Sequence, residues 1–203
     1  MRRLDHAPFT VKPGDKAKLK KFATKAPGNI DKKVAKEEMA QDVSDLAAAQ
    51  AVLWASGKYS VLIVLQALDA AGKDGTIKHV MSGVNPQGCN VYSFGPPSAE
   101  ELRHHFLWRP TRFLPSRGMI AIFNRSYYEE VLVVRVHPDL LDAQKLPAYT
   151  SKDDIWSRRF DDINAFEHTL VRNGTCVIKF FLHVSKKEQK KRFLERLEDP
   201  QKN

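Results

Sequence analysis

A short apolar segment that runs directly into a loop of small residues and then into a helix constrains this chain more than any other feature. Residues 60–66 read SVLIVLQ, a β-branched run typical of a strand buried on both faces of a parallel sheet. Residues 67–76 read ALDAAGKDGT, and the helical segment IKHVM follows. Small residues bring backbone N–H groups and a helix N-terminus close to a phosphate, and a lysine adds a mobile positive charge. The sequence therefore predicts a phosphate loop, with contacts from Ala70, Ala71, Gly72, Lys73, Asp74, Gly75 and Thr76.

The loop departs from the usual nucleotide-triphosphatase pattern at three positions. Ala67 stands where the first glycine is expected, and Asp74 replaces the Ser or Thr whose hydroxyl binds Mg²⁺. Asp69 places an acid inside the loop, where it would repel a phosphate unless it holds Mg²⁺ or orients a phosphate through the ion. We expect Asp69 to be a metal ligand; the alternative is an Asp-Gly turn with a helix N-cap at Asp69 or Asp74.

A second set of candidate residues follows the apolar run MIAIF. Arg125 comes at the carboxyl end of this predicted central strand, where ligands bind in open α/β sheets, and its planar guanidinium could hold two phosphate oxygens. Asn124 occupies the position at which related folds carry a metal-supporting acid. The metal would therefore rest on Asp69 and Glu129, although Glu129 could equally be the capping partner of Ser126.

The last predicted helix, from Ser185 onward, is rich in lysine and arginine. Arg192 and Arg196 are four residues apart and share one helix face, so they are candidates for a lid that closes over phosphates and excludes water. The alternative is a solvated charged face.

The pattern along the chain predicts an α/β fold in which helices cover both faces of a parallel sheet. We expect a basic irregular arm over residues 1–30 and a single domain over residues 31–203. Predicted strands cover Ser60–Gln66, Asn90–Phe94, Gly118–Phe123 and Thr175–His183. Predicted helices cover 31–56, 73–83, 98–107, 126–135, 152–173 and the segment from Ser185. Ser-x-x-Glu pairs predict capping boxes at Ser98/Glu101, Ser126/Glu129 and Ser185/Glu188.

Composition favours anionic partners. The 33 Lys and Arg residues outnumber 24 acids, giving a formal charge of +9. No apolar run is long enough to span a bilayer, and no secretory signal follows Arg2-Arg3, so we expect no membrane association. Cys89 and Cys176 have no metal-binding spacing, which fits a reducing cytoplasm. The sequence contains no nucleic-acid recognition signature, so we expect no nucleic-acid partner.

The chain contains the segments DAAGKDGTIK, VNPQG, SFGPPSAEEL, FLWR, IFNRSYYEEVLVVRVH and KFFLHVSKKEQKKRFLERLEDP. Together they resemble the polyphosphate kinase 2 family of polyphosphate:nucleotide phosphotransferases, and the resemblance covers nearly all of residues 12–203. The segment around FNRS-Y-E-VLVVRVH resembles the class III subgroup, which is associated with phosphorylating nucleoside mono- and diphosphates.

This resemblance implies a thymidylate-kinase-like fold, polyphosphate as donor, Mg²⁺ as cofactor and homo-oligomers, either dimers or tetramers. It maps Asp69, Lys73 and Arg125 onto the family's phosphate-loop acid, phosphate-loop lysine and second-motif arginine, and it places Arg192 and Arg196 in the lid. The family continues past an Asp-Pro pair such as the one at 199–200 with more of the lid, a long helix and a final strand. We therefore expect that segment to be missing from these residues.

The predicted function is transfer of a terminal phosphoryl group between inorganic polyphosphate and a nucleoside mono- or diphosphate, AMP or ADP, with Asp69, Lys73 and Arg125 as catalytic residues. Two alternatives are an ATP-dependent nucleotide kinase, against which the replacement at Asp74 argues, and a non-catalytic basic nucleic-acid-binding protein.

Overall fold

Strands and helices alternate along the chain in the computed structural model, which describes residues 7–25, 31–147 and 154–198. The strands are β1 (Ser60–Ala67), β2 (Cys89–Ser93), β3 (Ile120–Asn124) and β4 (Thr175–Leu182). The helices are α1 (Lys32–Ser56), α2 (Lys73–Val80), α3 (Trp108–Thr111), α4 (Glu129–Val136), α5 (Pro138–Asp142), α6 (Ile155–Arg172) and α7 (Lys186–Glu198). Short 3₁₀ turns cover Ala7–Phe9, Leu19–Lys21, Pro86–Gly88 and Glu101–Arg103.

The four strands form one sheet in the order β2-β3-β1-β4. β3 pairs in parallel with both β1 and β2, in registers that place Leu62 beside Ala121 and Asn90 beside Ala121. All five residues of β3 are buried, as expected for a central strand covered on both faces. The sequence prediction of an α/β fold with a parallel sheet is confirmed.

The chain divides into two compact units. The first comprises Met1–Leu46, Ala67–Gly83 and Phe181–Asn203, and so contains the predicted phosphate loop, α2 and α7. The second comprises Ala47–Gln66 and Val84–Phe180, and so contains most of the sheet with α4 to α6. The predicted single domain over 31–203 stays a prediction.

The second unit has a core rich in aromatic residues. Phe123 and Leu62 are fully buried, and the rings of Phe94 and Phe123 meet edge to face with centroids 4.9 Å apart. Further buried members of this core are Val64, Ala121, Tyr127, Val131, Ile163 and Leu170. The core fixes the strands whose carboxyl ends carry the candidate residues.

Helix α1 confirms the predicted helix over 31–56, but its apolar stripe is covered only in part. Val43, Leu46 and Leu53 are half-buried, whereas Met39 and Trp54 are exposed. In the second unit, Gln50 is buried against Gly88, where a Cβ would lie 1.7 Å from the Gln50 Nε2 atom. A side chain at position 88 would therefore displace the Gln50 amide from its place against the turn.

Each predicted strand lies within two residues of its observed bounds, but one predicted helix was wrong and one observed helix was missed. The helix predicted over 98–107 is a 3₁₀ turn followed by the four-residue α3, because His104 is extended. Helix α5 was not predicted, although Pro138 begins it at a position that proline favours. Residues 1–6 and 26–30 of the predicted irregular arm, and residues 152–153 of the predicted 152–173 helix, lie outside the described residues.

Capping of helix starts follows the predicted Ser-x-x-Glu pattern unevenly. At Ser98 both bonds form: Ser98 N donates to Glu101 Oε2 at 2.7 Å, and Glu101 N donates to Ser98 Oγ at 3.2 Å. At α7, Glu188 N donates to Ser185 Oγ at 3.2 Å, and the Glu188 carboxylate accepts instead from Arg192. The capping box at Ser98/Glu101 is thus confirmed. Of the box predicted at Ser185/Glu188, only the bond to the serine hydroxyl forms.

Candidate active site

The loop that follows β1 belongs to the first unit and has an unusual backbone. Ala70 has a φ of 59° and Gly72 a φ of 92°, both in the left-handed region, and Ala71 N donates to Leu68 O at 3.2 Å. An alanine in this region costs roughly 1–2 kcal/mol. Such strain clusters at functional sites, and alternating right- and left-handed residues form concavities that bind anions.

Helix α2 begins at the end of this loop with Gly72 as its N-cap residue, so the alternative in which Asp69 or Asp74 is the N-cap is wrong. Lys73 is the first helical residue, and its Nζ atom lies 3.5 Å from Ala67 O. Thr76 donates to Gly72 O both from its amide at 2.9 Å and from its hydroxyl at 3.0 Å, so a phosphate contact from Thr76 would replace one of these bonds.

Side chains of helix α7, in the same unit, donate hydrogen bonds to backbone carbonyls of the loop. Gln189 Nε2 donates to Asp69 O at 2.8 Å, and Arg192 Nη1 donates to Ala71 O at 2.8 Å and to Ala70 O at 3.4 Å. Arg192 Nε donates to Glu188 Oε1 at 2.8 Å. Arg196 is exposed on α7. Arg192 therefore contacts both the Glu188 carboxylate and carbonyl oxygens of the loop, and its role as a phosphate ligand in a lid stays a prediction.

Arg125 belongs to the second unit and follows β3. Its φ of 65° is in the left-handed region, which is rare for a residue with a long side chain, and its amide donates to Leu65 O at 3.1 Å. The side chain is exposed. A strained and exposed arginine at the carboxyl end of a central strand is what we expect at a ligand-binding position.

Glu129 does not form the capping box predicted with Ser126. The N-cap residue of α4 is Tyr128, and Ser126 Oγ accepts from the Tyr128 amide at 3.1 Å. With its amide oriented to satisfy both neighbours, buried Gln66 donates to Glu129 Oε1 at 2.9 Å and accepts from Ser126 Oγ at 3.0 Å. The carboxylate of Glu129 is therefore oriented by a residue from the end of β1.

An open pocket of about 190 Å³ in the second unit brings Arg125 and Glu129 together. Its walls are mostly apolar, from Phe94, Pro96, Pro97, Leu102, Phe106 and Val133, and its charged residues include Arg109 and Glu130. Arg109 lies over the Phe94 ring, 4.9 Å from its centroid, and pairs with Glu101 at 3.0 Å. Apolar walls with a few convergent polar groups are typical of small-molecule sites.

A buried polar network holds side chains that form part of the wall of this pocket. Arg159 on α6 is 3% exposed and donates through Nη1 to Glu130 O at 2.9 Å and to Glu130 Oε2 at 3.1 Å. Arg159 also donates to Gln144 Oε1, and Gln144 Nε2 donates to Glu130 Oε2 at 2.7 Å. Burial lowers the pKa of the Arg159 guanidinium, and the Glu130 charge opposes that shift. The network fixes two pocket-lining side chains, Glu130 and Gln144.

A second polar cluster forms around Tyr127 and Tyr128, which closely follow Arg125 in the sequence. The hydroxyls of Tyr127 and Tyr128 donate to Glu167 Oε1 at 2.9 Å and 2.8 Å, and Lys179 Nζ donates to Glu167 Oε2 at 2.6 Å. Burial raises the pKa of Tyr128 to about 12, with Glu167 adding to the rise and Lys179 opposing it. Burial and Glu167 also raise the pKa of Tyr127. Both tyrosines therefore stay neutral and anchor the start of α4.

The predicted site residues thus fall into two groups. The first unit holds the loop residues from Asp69 to Thr76 with Arg192, and the second unit holds Arg125 and Glu129. Sequence reasoning missed Gln189, Gln66 and Arg159, whose partners are 120, 63 and 29 positions away along the chain. The strand-end position of Gln66 was the one local signal available, because side chains there reach the ligand edge of the sheet.

Metal-binding potential at the predicted site rests on few carboxylates. Within residues 7–25, 31–147 and 154–198, the structure shows no group of three or more His, Cys, Asp and Glu side chains that could hold a metal ion. Mg²⁺ commonly uses only one or two carboxylates, with water and substrate phosphates completing its shell. The exposed carboxylate of Asp69 fits that chemistry. In the part of the chain that is described, no helix has the length and apolar character to cross a bilayer.

Comparison with known proteins agrees with these observations. The sequence model of the family Polyphosphate kinase 2 (PPK2) matches residues 29–203. The chain is 51% identical over 197 residues to an ADP-polyphosphate phosphotransferase of Rhodopseudomonas palustris, covering 96% of this chain and 68% of that protein. It is 43% identical over 196 residues to an AMP/ADP-polyphosphate phosphotransferase of Meiothermus ruber, covering 96% of this chain and 69% of that protein.

Solved structures are similar as well. The chain matches the crystal structure of Polyphosphate Kinase 2 from Arthrobacter aurescens TC1 with a TM-score of 0.82 and 37% identity, over 95% of this chain and 66% of that one. The chain thus spans about two thirds of the length of these relatives. Its fold is the phosphate-loop kinase fold, and the chain belongs to the polyphosphate kinase 2 family.

Proposed function

We propose that this chain transfers the terminal phosphoryl group between inorganic polyphosphate and a nucleoside mono- or diphosphate, converting AMP to ADP and ADP to ATP. The observation that carries the proposal is the strained loop after β1, with exposed Asp69 and with Lys73 at the first turn of α2, in a chain of this family. Relatives named for transfer to ADP, and to AMP and ADP, support the substrate range, as does the resemblance to the class III subgroup.

The reaction is an in-line displacement. A terminal phosphate oxygen of the acceptor forms a bond to the last phosphorus of polyphosphate, and the bridging P–O bond breaks, leaving a chain one unit shorter. Lys73 and the loop amides would hold the transferring group, and Arg125 would offer a planar, two-point contact to phosphate oxygens of the substrates. The protein positions two anions and neutralises their charge, so no covalent intermediate is needed.

Phosphotransferases of this family generally need a divalent metal, and we propose Mg²⁺ held by Asp69, with Glu129 as the next candidate. When bound, the ion neutralises charge on the phosphate oxygens. Asp69 lies in the phosphate loop, and a carboxylate there is a suitable ligand, because Mg²⁺ prefers oxygen atoms and takes the others from substrate and water. The Glu129 carboxylate is instead oriented by Gln66 in the second unit.

The pocket beside Arg125 is our candidate site for the nucleoside part of the acceptor. Its apolar walls suit a flat base, and its four charged residues, Arg109, Arg125, Glu129 and Glu130, offer both donors and acceptors. Arg192 and Arg196 on α7 would contribute to the lid, and the basic surface would carry the rest of the polyphosphate. A cytoplasmic location and a dimeric or tetrameric assembly belong to the same proposal.

A donor comparison tests the function directly. Purified protein with Mg²⁺ is incubated with ADP and long-chain polyphosphate, or with AMP and polyphosphate, and products are separated by ion-exchange chromatography. We expect ATP from the first mixture and ADP from the second. An AMP reaction that proceeds with ATP but not with polyphosphate would replace the proposal with an ATP-dependent nucleotide kinase.

A further inference from the structure

Three successive carbonyl oxygens of the phosphate loop accept hydrogen bonds from one helix. Gln189 on α7 donates to Asp69 O, and Arg192 donates to Ala70 O and Ala71 O. The two donors are three residues apart, so they lie on the same face of α7. All these residues belong to the first unit, and Ser185 begins the helix that presents them.

The direction of these carbonyls matters for an anion site. In a trans peptide the C=O and the following N–H point to opposite sides. Drawing the carbonyls of Asp69 and Ala71 toward α7 therefore turns the amides of Ala70 and Gly72 away from α7. Carbonyl oxygens facing a phosphate would repel it, whereas amides attract it.

The same contacts stabilise a backbone that would otherwise relax. Ala70 adopts a left-handed φ of 59° without being glycine, and such residues persist only where their surroundings over-determine them. The loop conformation therefore needs support from outside the loop, and within the described residues α7 supplies three hydrogen bonds to it.

We propose that α7 holds the phosphate loop in its anion-binding conformation, and that Gln189 is a positioning residue for phosphoryl transfer that acts through the backbone of Asp69. The proposal rests on the proposed function for its effect on turnover. It assigns Gln189 no contact with substrate, which separates it from Arg192, a candidate phosphate ligand in its own right.

Two substitutions of Gln189 test this. Gln189→Met removes the donor while keeping length and helix propensity, and Gln189→Glu keeps the shape but places a carboxylate against the Asp69 carbonyl. Glu195→Met, at an exposed position on the same helix that pairs with Lys191, is the matched control. Amide hydrogen exchange is followed by NMR at Ala71, whose N–H donates to Leu68 O, and at Thr76 inside α2 as an internal reference.

We expect exchange at Ala71 to accelerate about fivefold in Gln189→Met, more in Gln189→Glu and not in Glu195→Met, with Thr76 unchanged. The value of kcat with polyphosphate and ADP should fall about fivefold, with an unchanged KM for ADP, because the loop amides act on the transferring group. Unchanged exchange at Ala71 would overturn the proposal, and so would faster exchange with an unchanged kcat.

The proposed function and this inference can fail separately. If wild-type protein forms no ATP from polyphosphate, the function falls, while the exchange measurement still decides whether Gln189 holds the loop. If ATP forms at the same rate in wild type and Gln189→Met, the function stands and the positioning role falls.

Discussion

The two units place candidate site residues in opposite kinds of environment. In the first unit the phosphate loop is largely exposed, and its contacts include hydrogen bonds from side chains of α7 to its backbone carbonyls. In the second unit Arg125 and Glu129 follow the buried strand β3, and the Arg159 network fixes Glu130 next to Glu129. From this comparison we expect substitutions in the loop to change turnover more than stability, and substitutions behind the pocket to change stability.

The sharpest test of the loop is Asp69→Asn, which removes the charge and keeps the size. Because the N-cap residue is Gly72, the substitution leaves the start of α2 unchanged. If Asp69 holds the metal, we expect turnover to fall about 1000-fold, with ADP and polyphosphate still bound. Turnover and ligand affinity measured across a Mg²⁺ titration check this. Wild-type turnover at ordinary Mg²⁺ would move the metal site elsewhere, and Glu129 would be tested next.

Lys73→Ala should have the next largest effect. A lysine at the first turn of a helix that follows a phosphate loop is placed to neutralise the transferring group, so we expect turnover to fall about 100-fold. The circular dichroism spectrum and the unfolding midpoint should stay as in wild type. Lys78→Ala, at an exposed position on the same helix, is the control. Equal turnover in the two variants would contradict the role of Lys73.

Arg159→Met tests the other side of the comparison, since it should affect stability. It leaves Glu130, whose side chain is 17% exposed, without its buried cationic partner, and removal of one member of such a pair costs about 3 kcal/mol. Arg158→Met is a closely matched control, because the neighbouring Arg158 pairs with Asp154 on the surface and its loss costs under about 1 kcal/mol.

Denaturant unfolding, monitored by circular dichroism, measures the free energy of unfolding of each variant relative to wild type. Equal losses in the two variants would show that the Arg159 network does not support the second unit. A loss in Arg159→Met accompanied by normal turnover of the remaining folded protein would sharpen the comparison, because it separates support of the pocket from chemistry in the loop.

The sequence predicted this framework well because local patterns determine most of it. The apolar runs at Val61–Leu65 and Ile120–Phe123 lie in strands β1 and β3, and the candidate ligands Asp69 and Arg125 follow within four residues of these runs. The helix predicted over 98–107 failed although the capping bonds at Ser98 form, because the chain turns extended at His104. A capping pattern thus indicates where a turn begins, and the following residues decide how long it continues.

The support of the site was not predictable from local patterns. Glu129 has the spacing of a capping partner, yet its carboxylate accepts from Gln66 of another strand. Gln189 reads as one polar residue in a charged helix, and its role depends on a carbonyl 120 positions earlier. Periodicity and capping rules describe neighbours in sequence, whereas these bonds form only once the fold has brought distant segments together.

The smallest expected effect concerns pH and the tyrosine cluster of the second unit. Burial raises the pKa of Tyr128 to about 12 in the folded protein, above its value of about 10 in an unfolded chain. The neutral phenol is therefore favoured by folding, and this contribution is fully present below pH 10 and is lost as the pH rises through about 12. The bonds of Lys179 to Glu167 and Tyr128 outweigh its burial and raise its pKa too, so both groups lose stabilisation in the same direction.

Tyr128→Phe isolates the contribution of the phenol. We expect the thermal unfolding midpoint of the wild type to fall more steeply between pH 10 and 12 than that of the variant, because the variant has no phenol to ionise at this position. Tyr59→Phe is the control, since that side chain is 60% exposed and should leave the wild-type slope unchanged. Calorimetry at several pH values measures the slopes. Parallel curves for wild type and Tyr128→Phe would show that the Tyr128 phenol ionises as readily in the folded protein as in the unfolded chain.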